Sequence, residues 1–476
     1  MIYKAFISFI LILSSLPIFG QSSIEDKNRI VYNRIEYFFN TQQTDSIYAL
    51  ATEDFQKQVS SSDFGLIIQY FYQFGKIKEA IPVSANNNII GYNIVFPNKT
   101  SYLQLAVNDD FKYYGFTIKD EPYIAVEAKD IKSNVTTTTT LDFFVDSIAK
   151  TYLSNPNTAS LSIGIIHNNK INTFFYGESI KGDKASLPTG SSIYEVGSIS
   201  KLFTSILLAD LVEKNIISLD DSIAKYLPDS VKANPYIQKI TFKQLANHTS
   251  GLARIPSNLD KALKYDAKNP YANYTRKELY HYLKSVEQTT EPGEMYEYSN
   301  LGFGLLGDII STITRKSFDQ NIKETISMPL GMTNTVEKLD PKTQKMVGVY
   351  NTDGTATLAW DFQALAGAGA LKSTTNDLLR FAQYQFKMPE SNLENALALT
   401  RQFTYYLPPN TDIGLAWNMN MSNDVITYWH NGGTGGSSSF IAIVPDLKSA
   451  IVVLSNSANS VDDISIKILE KLLNTK

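Results

Sequence analysis

Two hairpin patterns lie far apart in this sequence, and together they dictate most of its architecture. The first runs 160–166, turns at Asn168-Asn169, and returns over 170–176. The second, 440–444 and 450–454, flanks a Pro445-Asp446 turn. Apolar residues at helical spacing precede the first hairpin over 141–153 and follow the second over 461–473. The middle, roughly 200–400, is mainly helical and loop-rich, with helices predicted at 282–286, 301–314 and 375–386. This order predicts one antiparallel sheet assembled from both ends of a domain that starts near Leu141. Helices flank it, and a mainly helical lobe is inserted between its halves. A crevice between sheet and lobe is a usual place for a small-molecule site.

At 476 residues the chain exceeds one ordinary domain, so more sequence must be placed before Leu141. Residues 1–20 read as a secretory signal peptide: Lys4 is the positive end, 5–18 is mostly apolar, and Gly20 precedes Gln21. The apolar run is short for a membrane span, and no later segment is apolar enough to make one. The mature chain is therefore expected to be soluble and exported, to the periplasm or outside the cell. Residues 22–130 read as a small α+β domain. Helices are expected at 30–39, 45–51 and 63–74, and strands at 89–96, 101–107 and 113–118. It carries no catalytic constellation, which leaves binding, oligomerisation or spacing as its role. It is similar to the small cone-shaped domains of the nuclear-transport-factor-2-like type. Residues 131–140, Ile-Lys-Ser-Asn-Val and five threonines, read as a linker, leaving 141–476 as the second domain.

Composition closes off several chemistries. Net charge is −4 with no basic stripe, which argues against a nucleic-acid partner. The absence of cysteine excludes disulfides, thiolate metal sites and a cysteine nucleophile. The four histidines (His167, His248, His281 and His430) are scattered, and no pair has metal-ligand spacing, so no metal site is expected.

What remains points to serine chemistry. Tyr194-Glu-Val-Gly-Ser-Ile-Ser-Lys201 leads into Leu202, Phe203, Ile206, Leu207 and Leu211, which predicts a buried amphipathic helix starting near Ser198. Residues three apart share a helix face, so Ser198 and Lys201 would meet. A serine hydroxyl needs a base, and a desolvated lysine can be one near neutral pH. The spacing alone is weak, since Ser147/Lys150 and Ser222/Lys225 repeat it on what read as solvated helix faces. Tyr298-Ser299-Asn300 follows a Pro292-Gly293 turn and precedes an apolar helix. A tyrosine beside a lysine is expected to have a lowered pKa and to shuttle a proton, while Asn300 would hold a substrate carbonyl or fix Lys201. His430-Asn431-Gly432-Gly433 follows a strand pattern at 426–429. Glycines there let a substrate backbone approach, and the Gly433 N–H would join the Ser198 N–H in an oxyanion hole.

The ordered set Gly-Ser-Ile-Ser-Lys, Tyr-Ser-Asn and His-Asn-Gly resembles the penicillin-recognising serine hydrolases over about 141–476. These are class C β-lactamases, D-alanyl-D-alanine carboxypeptidases, D-aminopeptidases and related esterases. The stretches 245–252 and 366–373 look like this family as well. The resemblance implies a β-lactamase-like catalytic domain of α+β class and an acyl-enzyme mechanism without a cofactor. Ser198 attacks, Lys201 and Tyr298 move protons, and Asn300, His430, Asn431, Gly432 and Gly433 contact a small-molecule or peptide substrate, cell-wall-derived material included. One departure matters: many β-lactamases of this kind have Lys-Thr-Gly where this chain has His430-Asn431-Gly432, and His-x-Gly is seen in the D-amino-acid peptidase and some esterase branches. That favours hydrolysis of a D-amino-acid peptide, amide or ester over β-lactamase activity. A third reading is a non-enzymatic penicillin-binding sensor or scaffold whose N-terminal domain does the work, against which the intact Ser198, Lys201, Tyr298 and Asn300 argue. His430 is expected to tune substrate choice, holding a carboxylate better when protonated.

Overall fold

The computed structural model describes residues 24–474 apart from 87–88, 288–289 and 423. The expected signal segment lies outside these residues. The chain divides into two compact units, one ending at Ile124 and the other beginning at Ala125. Among the described residues no helix is long and apolar enough to cross a membrane.

The first unit places four helices before one sheet. The helices are α1 (Ile24–Asn40), α2 (Thr44–Ala49), α3 (Glu53–Gln58) and α4 (Ser61–Tyr72). The strands β1 (Glu79–Asn86), β2 (Ile89–Val95), β3 (Thr100–Val107) and β4 (Tyr113–Lys119) form an antiparallel meander in sequence order. Val31, Tyr32, Ile35 and Phe39 fall on one side of α1 and pack with Ile90, Tyr92, Ile94 and Leu105. Helix α3 was not expected, and the reason is local: it buries no residue, so it has no apolar stripe to read. Its only sign is the Thr52 hydroxyl, which caps it by accepting from the Phe55 N–H.

The second unit is built on the two hairpins. α5 (Thr140–Leu153) precedes β5 (Ser160–His167) and β6 (Lys170–Gly177). A separate two-stranded ribbon pairs β7 (Tyr194–Glu195) with β8 (Lys372–Ser373). Late in the chain come β9 (Tyr405–Leu407), β10 (Thr411–Ile413), β11 (Asn418–Ser422), β12 (Val425–Gly433), β13 (Ser438–Val444) and β14 (Ser449–Ser455). The eight-stranded antiparallel sheet runs β6-β5-β14-β13-β12-β11-β10-β9, so β14 from the far end of the chain pairs with β5. Alternation divides its two faces. Phe440, Ala442, Ile451 and Val453 meet α5 and the terminal helix Asp462–Leu473, whereas Ile441, Ile443, Val452 and Leu454 meet the helical lobe. Both faces are covered, which is why β13 and β14 are buried at every position.

The expected linker is a correction. Lys132 accepts from the Gly177 N–H at 2.9 Å, and Asn134 exchanges bonds with Phe175 through its backbone N–H at 3.3 Å and its side-chain oxygen at 3.2 Å. An outer strand such as β6 presents unpaired backbone groups, and 132–134 satisfies them. Ile131 and Val135 pack against the adjoining core. The threonine run ends as a helix start: Thr139 and Asp142 form a capping box on α5.

Candidate active site

Ser198 sits in a single 3₁₀ turn, Gly197–Ile199, and α6 (Ser200–Glu213) begins directly after it. The expected helix start is therefore displaced by two residues. The expected amphipathic character is also absent, since every residue from Ser200 to Leu211 is buried. A helix enclosed on every side is an interior helix, whatever polar residues it carries. Truncating one of its leucines, such as Leu207, would cost about 2–5 kcal/mol, a large part of an ordinary domain's stability. The site thus rests on an interior helix of the lobe. Ser198 itself stays partly exposed.

Gly197 has φ +49°, and a Cβ there would stand 2.7 Å from the Gly433 nitrogen. A Cβ on Gly432 would collide with the Val196 carbonyl oxygen and come 2.9 Å from the Ser198 nitrogen. These two glycines let the Ser198 turn and the end of β12 touch backbone to backbone. Ser439 on β13 pins the contact, its hydroxyl donating to the Val196 carbonyl at 2.9 Å. On the other side Glu195 accepts from the Trp360 N–H at 2.7 Å and from the Thr434 hydroxyl at 2.9 Å, which ties the β12–β13 turn to the serine loop.

Lys201, the second residue of α6, is fully buried. Its Nζ lies 3.0 Å from Ser198 Oγ, 2.8 Å from Asn300 Oδ1 and 2.7 Å from the Ala368 carbonyl oxygen. No carboxylate pairs with it among the described residues. Burial, with the Arg254 charge acting in the same direction, drives its pKa well below the ordinary lysine value. A neutral amine here has two N–H bonds for the two fixed acceptors, and its lone pair is left facing the Ser198 hydroxyl.

Asn300 opens the helix Asn300–Thr314, which Ser299 caps. Its Nδ2 donates to the Tyr271 hydroxyl at 3.3 Å. Both ends of the amide are committed, so of its two expected roles the structure shows the one that fixes Lys201. The Tyr298 ring lies 4.8 Å from the Lys201 Nζ. Its phenol differs from the expectation: burial pushes the pKa up, against the smaller downward pull of the neighbouring Ser198 side chain. The reason is desolvation: enclosing the ring disfavours the charged phenolate more than Ser198 and Arg254 favour it. Tyr298 rests as a phenol, a proton donor.

His430 is buried, and its Nδ1 lies 2.6 Å from the Asn431 carbonyl oxygen. A carbonyl only accepts, so this contact selects the Nδ1–H tautomer and leaves Nε2 as an acceptor. Burial and the nearby Lys201 push its pKa down to about 3. The expected gain of carboxylate binding on protonation therefore falls below the ordinary working range of pH. Asn431 is a second correction. Adjacent side chains on a strand point to opposite faces, and Asn431 faces away, its amide donating to Asp462 Oδ2 at 2.9 Å. Gly432 and Gly433 lie where expected, against the Ser198 turn.

Two participants had no sequence signal strong enough to single them out. The Ala368 carbonyl is backbone, and any residue carries one. His248, with φ +63°, brackets Tyr298: its carbonyl accepts from the Glu297 N–H at 2.7 Å, and its Nδ1 accepts from the Ser299 N–H at 3.0 Å. Its ring lies 4.3 Å from the Tyr298 ring. Its buried Nε2 finds no partner among the described residues, and burial lowers its pKa strongly. The signal available was its place in the 245–252 stretch, which resembles the family without marking His248 itself.

Comparison with known proteins bears on the family and the fold. The sequence model of the family described as Beta-lactamase matches residues 145–474. Protein flp of Staphylococcus aureus (strain NCTC 8325 / PS 47) is 29% identical over 326 residues, covering 66% of this chain and 62% of that protein. The D-alanyl-D-alanine-carboxypeptidase/endopeptidase AmpH of Escherichia coli (strain K12) is 27% identical over 331 residues, covering 66% of this chain and 83% of that one. The match thus spans less than two thirds of the length of Protein flp. Among solved structures, a β-lactamase/D-alanine carboxypeptidase from Pseudomonas syringae superposes with a TM-score of 0.62 at 22% identity, over 70% of this chain and 99% of that one. A class C β-lactamase gives a TM-score of 0.61 at 24% identity, over 71% and 97%. At these identities the two structures establish the shared fold, and the family match extends over most of the chain. By its sequence and its fold, this chain belongs to the beta-lactamase family.

Proposed function

We propose that this chain is an exported serine hydrolase that cleaves a D-amino-acid peptide, amide or ester through an acyl-enzyme on Ser198. One observation carries the reading: the buried, carboxylate-free Lys201 amine 3.0 Å from Ser198 Oγ, with its other two contacts held by Asn300 and Ala368. In the forward step Ser198 Oγ forms a bond to the substrate carbonyl carbon and its proton passes to Lys201. The oxyanion is met by the N–H groups of Ser198 and Gly433. On collapse the carbonyl–leaving-group bond breaks, Tyr298 gives its proton to the leaving group, and the Lys201 ammonium returns one to Tyr298. Water then attacks the ester, its proton going to Lys201 and from there to the departing Ser198 oxygen. No cofactor enters this sequence.

The name of the relative AmpH, a D-alanyl-D-alanine-carboxypeptidase/endopeptidase, supports the D-amino-acid class. The likeness to class C β-lactamases supports a second reading, β-lactam hydrolysis, but the neutral His430 gives the strand no fixed positive charge for a β-lactam carboxylate. The leader-like 1–20 stretch supports export. Intact-mass and peptide-mapping spectrometry after treatment with a fluorophosphonate and with a fluorescent penicillin tests the mechanism. An adduct on Ser198 is expected, and one on Ser147 or Ser222 would sink it. Turnover of D-amino-acid amides and esters against nitrocefin then separates the two substrate readings.

A further inference from the structure

We propose that Arg254 is the anion anchor of the cleft, its guanidinium receiving a carboxylate carried on the leaving-group portion of the substrate. The inference rests on the hydrolase reading of Ser198 and adds a substrate feature to it.

The argument starts from where the guanidinium is mounted. The Arg254 carbonyl accepts from the Asn300 N–H at 2.9 Å and from the Leu301 N–H at 3.3 Å, and the Ser299 hydroxyl donates to the Ala253 carbonyl at 2.7 Å. The Tyr298-Ser299-Asn300 turn thus clamps the Arg254 backbone, and the side chain inherits a fixed base. From that base the guanidinium carbon reaches 5.0 Å from the centre of the Tyr298 ring, while Lys201 Nζ lies 4.8 Å from the same centre. The charge therefore stands beside the phenol that faces the leaving group.

The second part is what Arg254 does not do. The residue is exposed, and among the described residues it forms no ion pair and donates no side-chain hydrogen bond, although Glu297 is adjacent to Tyr298 in sequence. A guanidinium stacked on an aromatic face keeps its N–H edge available, and that edge matches a carboxylate in a fork-to-fork pair. The third part is the lack of a competitor on the opposite wall. His430 stands where a lysine would offer a permanent charge, and its ring is neutral. Lys201 is enclosed and occupied by Ser198, Asn300 and Ala368. A carboxylate entering this cleft must exchange its hydration for some fixed donor, and Arg254 is the permanent charge placed to provide one.

The test uses a matched pair of substrates, an N-acyl-D-alanyl thioester of D-thiolactate with its free acid and the same compound as its methyl ester, followed by thiol release. The quantity read is the ratio of kcat/KM, acid over methyl ester, in the full-length protein and in Arg254→Gln and Arg254→Lys. The proposal expects the natural protein to prefer the acid, the ratio to fall on the order of 10- to 100-fold in Arg254→Gln, and Arg254→Lys to fall between. An unchanged ratio, with or without an equal loss on both substrates, overturns the anchor: Arg254 would then act through Tyr298 or the fold alone. If the natural protein turns over neither thioester, the hydrolase reading fails, and the anchor is judged separately. Calorimetric binding of N-acyl-D-alanyl-D-alanine and of its C-terminal amide to Ser198→Ala, with and without Arg254→Gln, must then show a preference for the acid that Arg254→Gln removes. Equal binding of the two peptides, or binding of neither, overturns it.

Discussion

The pattern Ser-x-x-Lys occurs in α5 and again at the mouth of α6, and the two copies have opposite fates. In α5, Lys150 pairs with Asp146 one turn back at 2.8 Å, and Ser147 is exposed. At α6, Lys201 has no carboxylate, no solvent and a serine hydroxyl 3.0 Å away. A third copy, Ser222/Lys225, spends its serine capping the turn Ile223–Tyr226, with the exposed lysine lying over the Tyr226 ring. Spacing brings a hydroxyl and an amine to one side of a helix in each case. Only desolvation without a counter-charge turns the amine towards a base, because a neighbouring carboxylate stabilises the ammonium and solvent leaves it near its ordinary value. The contrast therefore lies in what the lobe packs around the pair, and it can be broken or sharpened by experiment.

The largest effect should come from removing the hydroxyls one at a time. Ser198→Ala should lower kcat by on the order of 10⁶-fold, whereas Ser147→Ala and Ser222→Ala should leave it as it was. A loss of that size from either of the latter would erase the distinction between the copies.

The next variant makes the buried copy resemble the exposed one. Asn300→Asp would set a carboxylate where Oδ1 now lies 2.8 Å from Lys201 Nζ, as Asp146 does for Lys150. The sign follows from the base form being the active one. In the natural protein the depressed Lys201 pKa places the rise of kcat/KM well below the ordinary lysine value. A carboxylate raises that pKa, moves the rise to higher pH, and leaves more of the amine protonated at neutral pH. Activity at pH 7 should drop by on the order of 10²- to 10³-fold and recover in part as pH increases. A drop with no shift of the pH profile would show that Lys201 is not the group titrating.

His248 sharpens the comparison from the side of Tyr298, which has no counterpart near Lys150. His248→Ala should lower kcat by about 10- to 100-fold through a displaced phenol. His248→Asn, whose Oδ1 can accept from the Ser299 N–H in place of Nδ1, should restore most of it. If the alanine variant keeps full kcat with an unchanged pH profile, the bracket serves only the fold.

The smallest effect concerns α5 itself. A chain starting at Ala125 should fold and keep turnover within about twofold on a small substrate, since the missing part contributes no residue to the pair. A chain starting at Leu141 loses the 132–134 bonds to β6 and the Thr139 cap, and its Tm should be lower by about 5 °C. Equal Tm values for the two would return 131–140 to the role of a spacer.

The sequence by itself determined the hairpins, the terminal helices, the mixed-class architecture and the order of the motifs around Ser198, Tyr298 and His430. These follow from periodicity and turn chemistry, which act over a few residues and leave a local trace. It did not show α3, which buries nothing, nor that 132–134 pairs with β6, because a polar run has the same composition whether it hangs free or completes a sheet edge. Tertiary structure decided which Ser-x-x-Lys is enclosed, that Tyr298 rests protonated and His430 neutral, that Asn431 faces Asp462, and that the Ala368 carbonyl and His248 complete the surroundings of Lys201 and Tyr298. Each of these depends on burial or on partners far away in the chain. A pKa and a side chain's direction are set by the full set of atoms within a few ångströms; residues 248, 298 and 368 reach that neighbourhood through packing within the lobe, and residue 430 through β12 of the sheet.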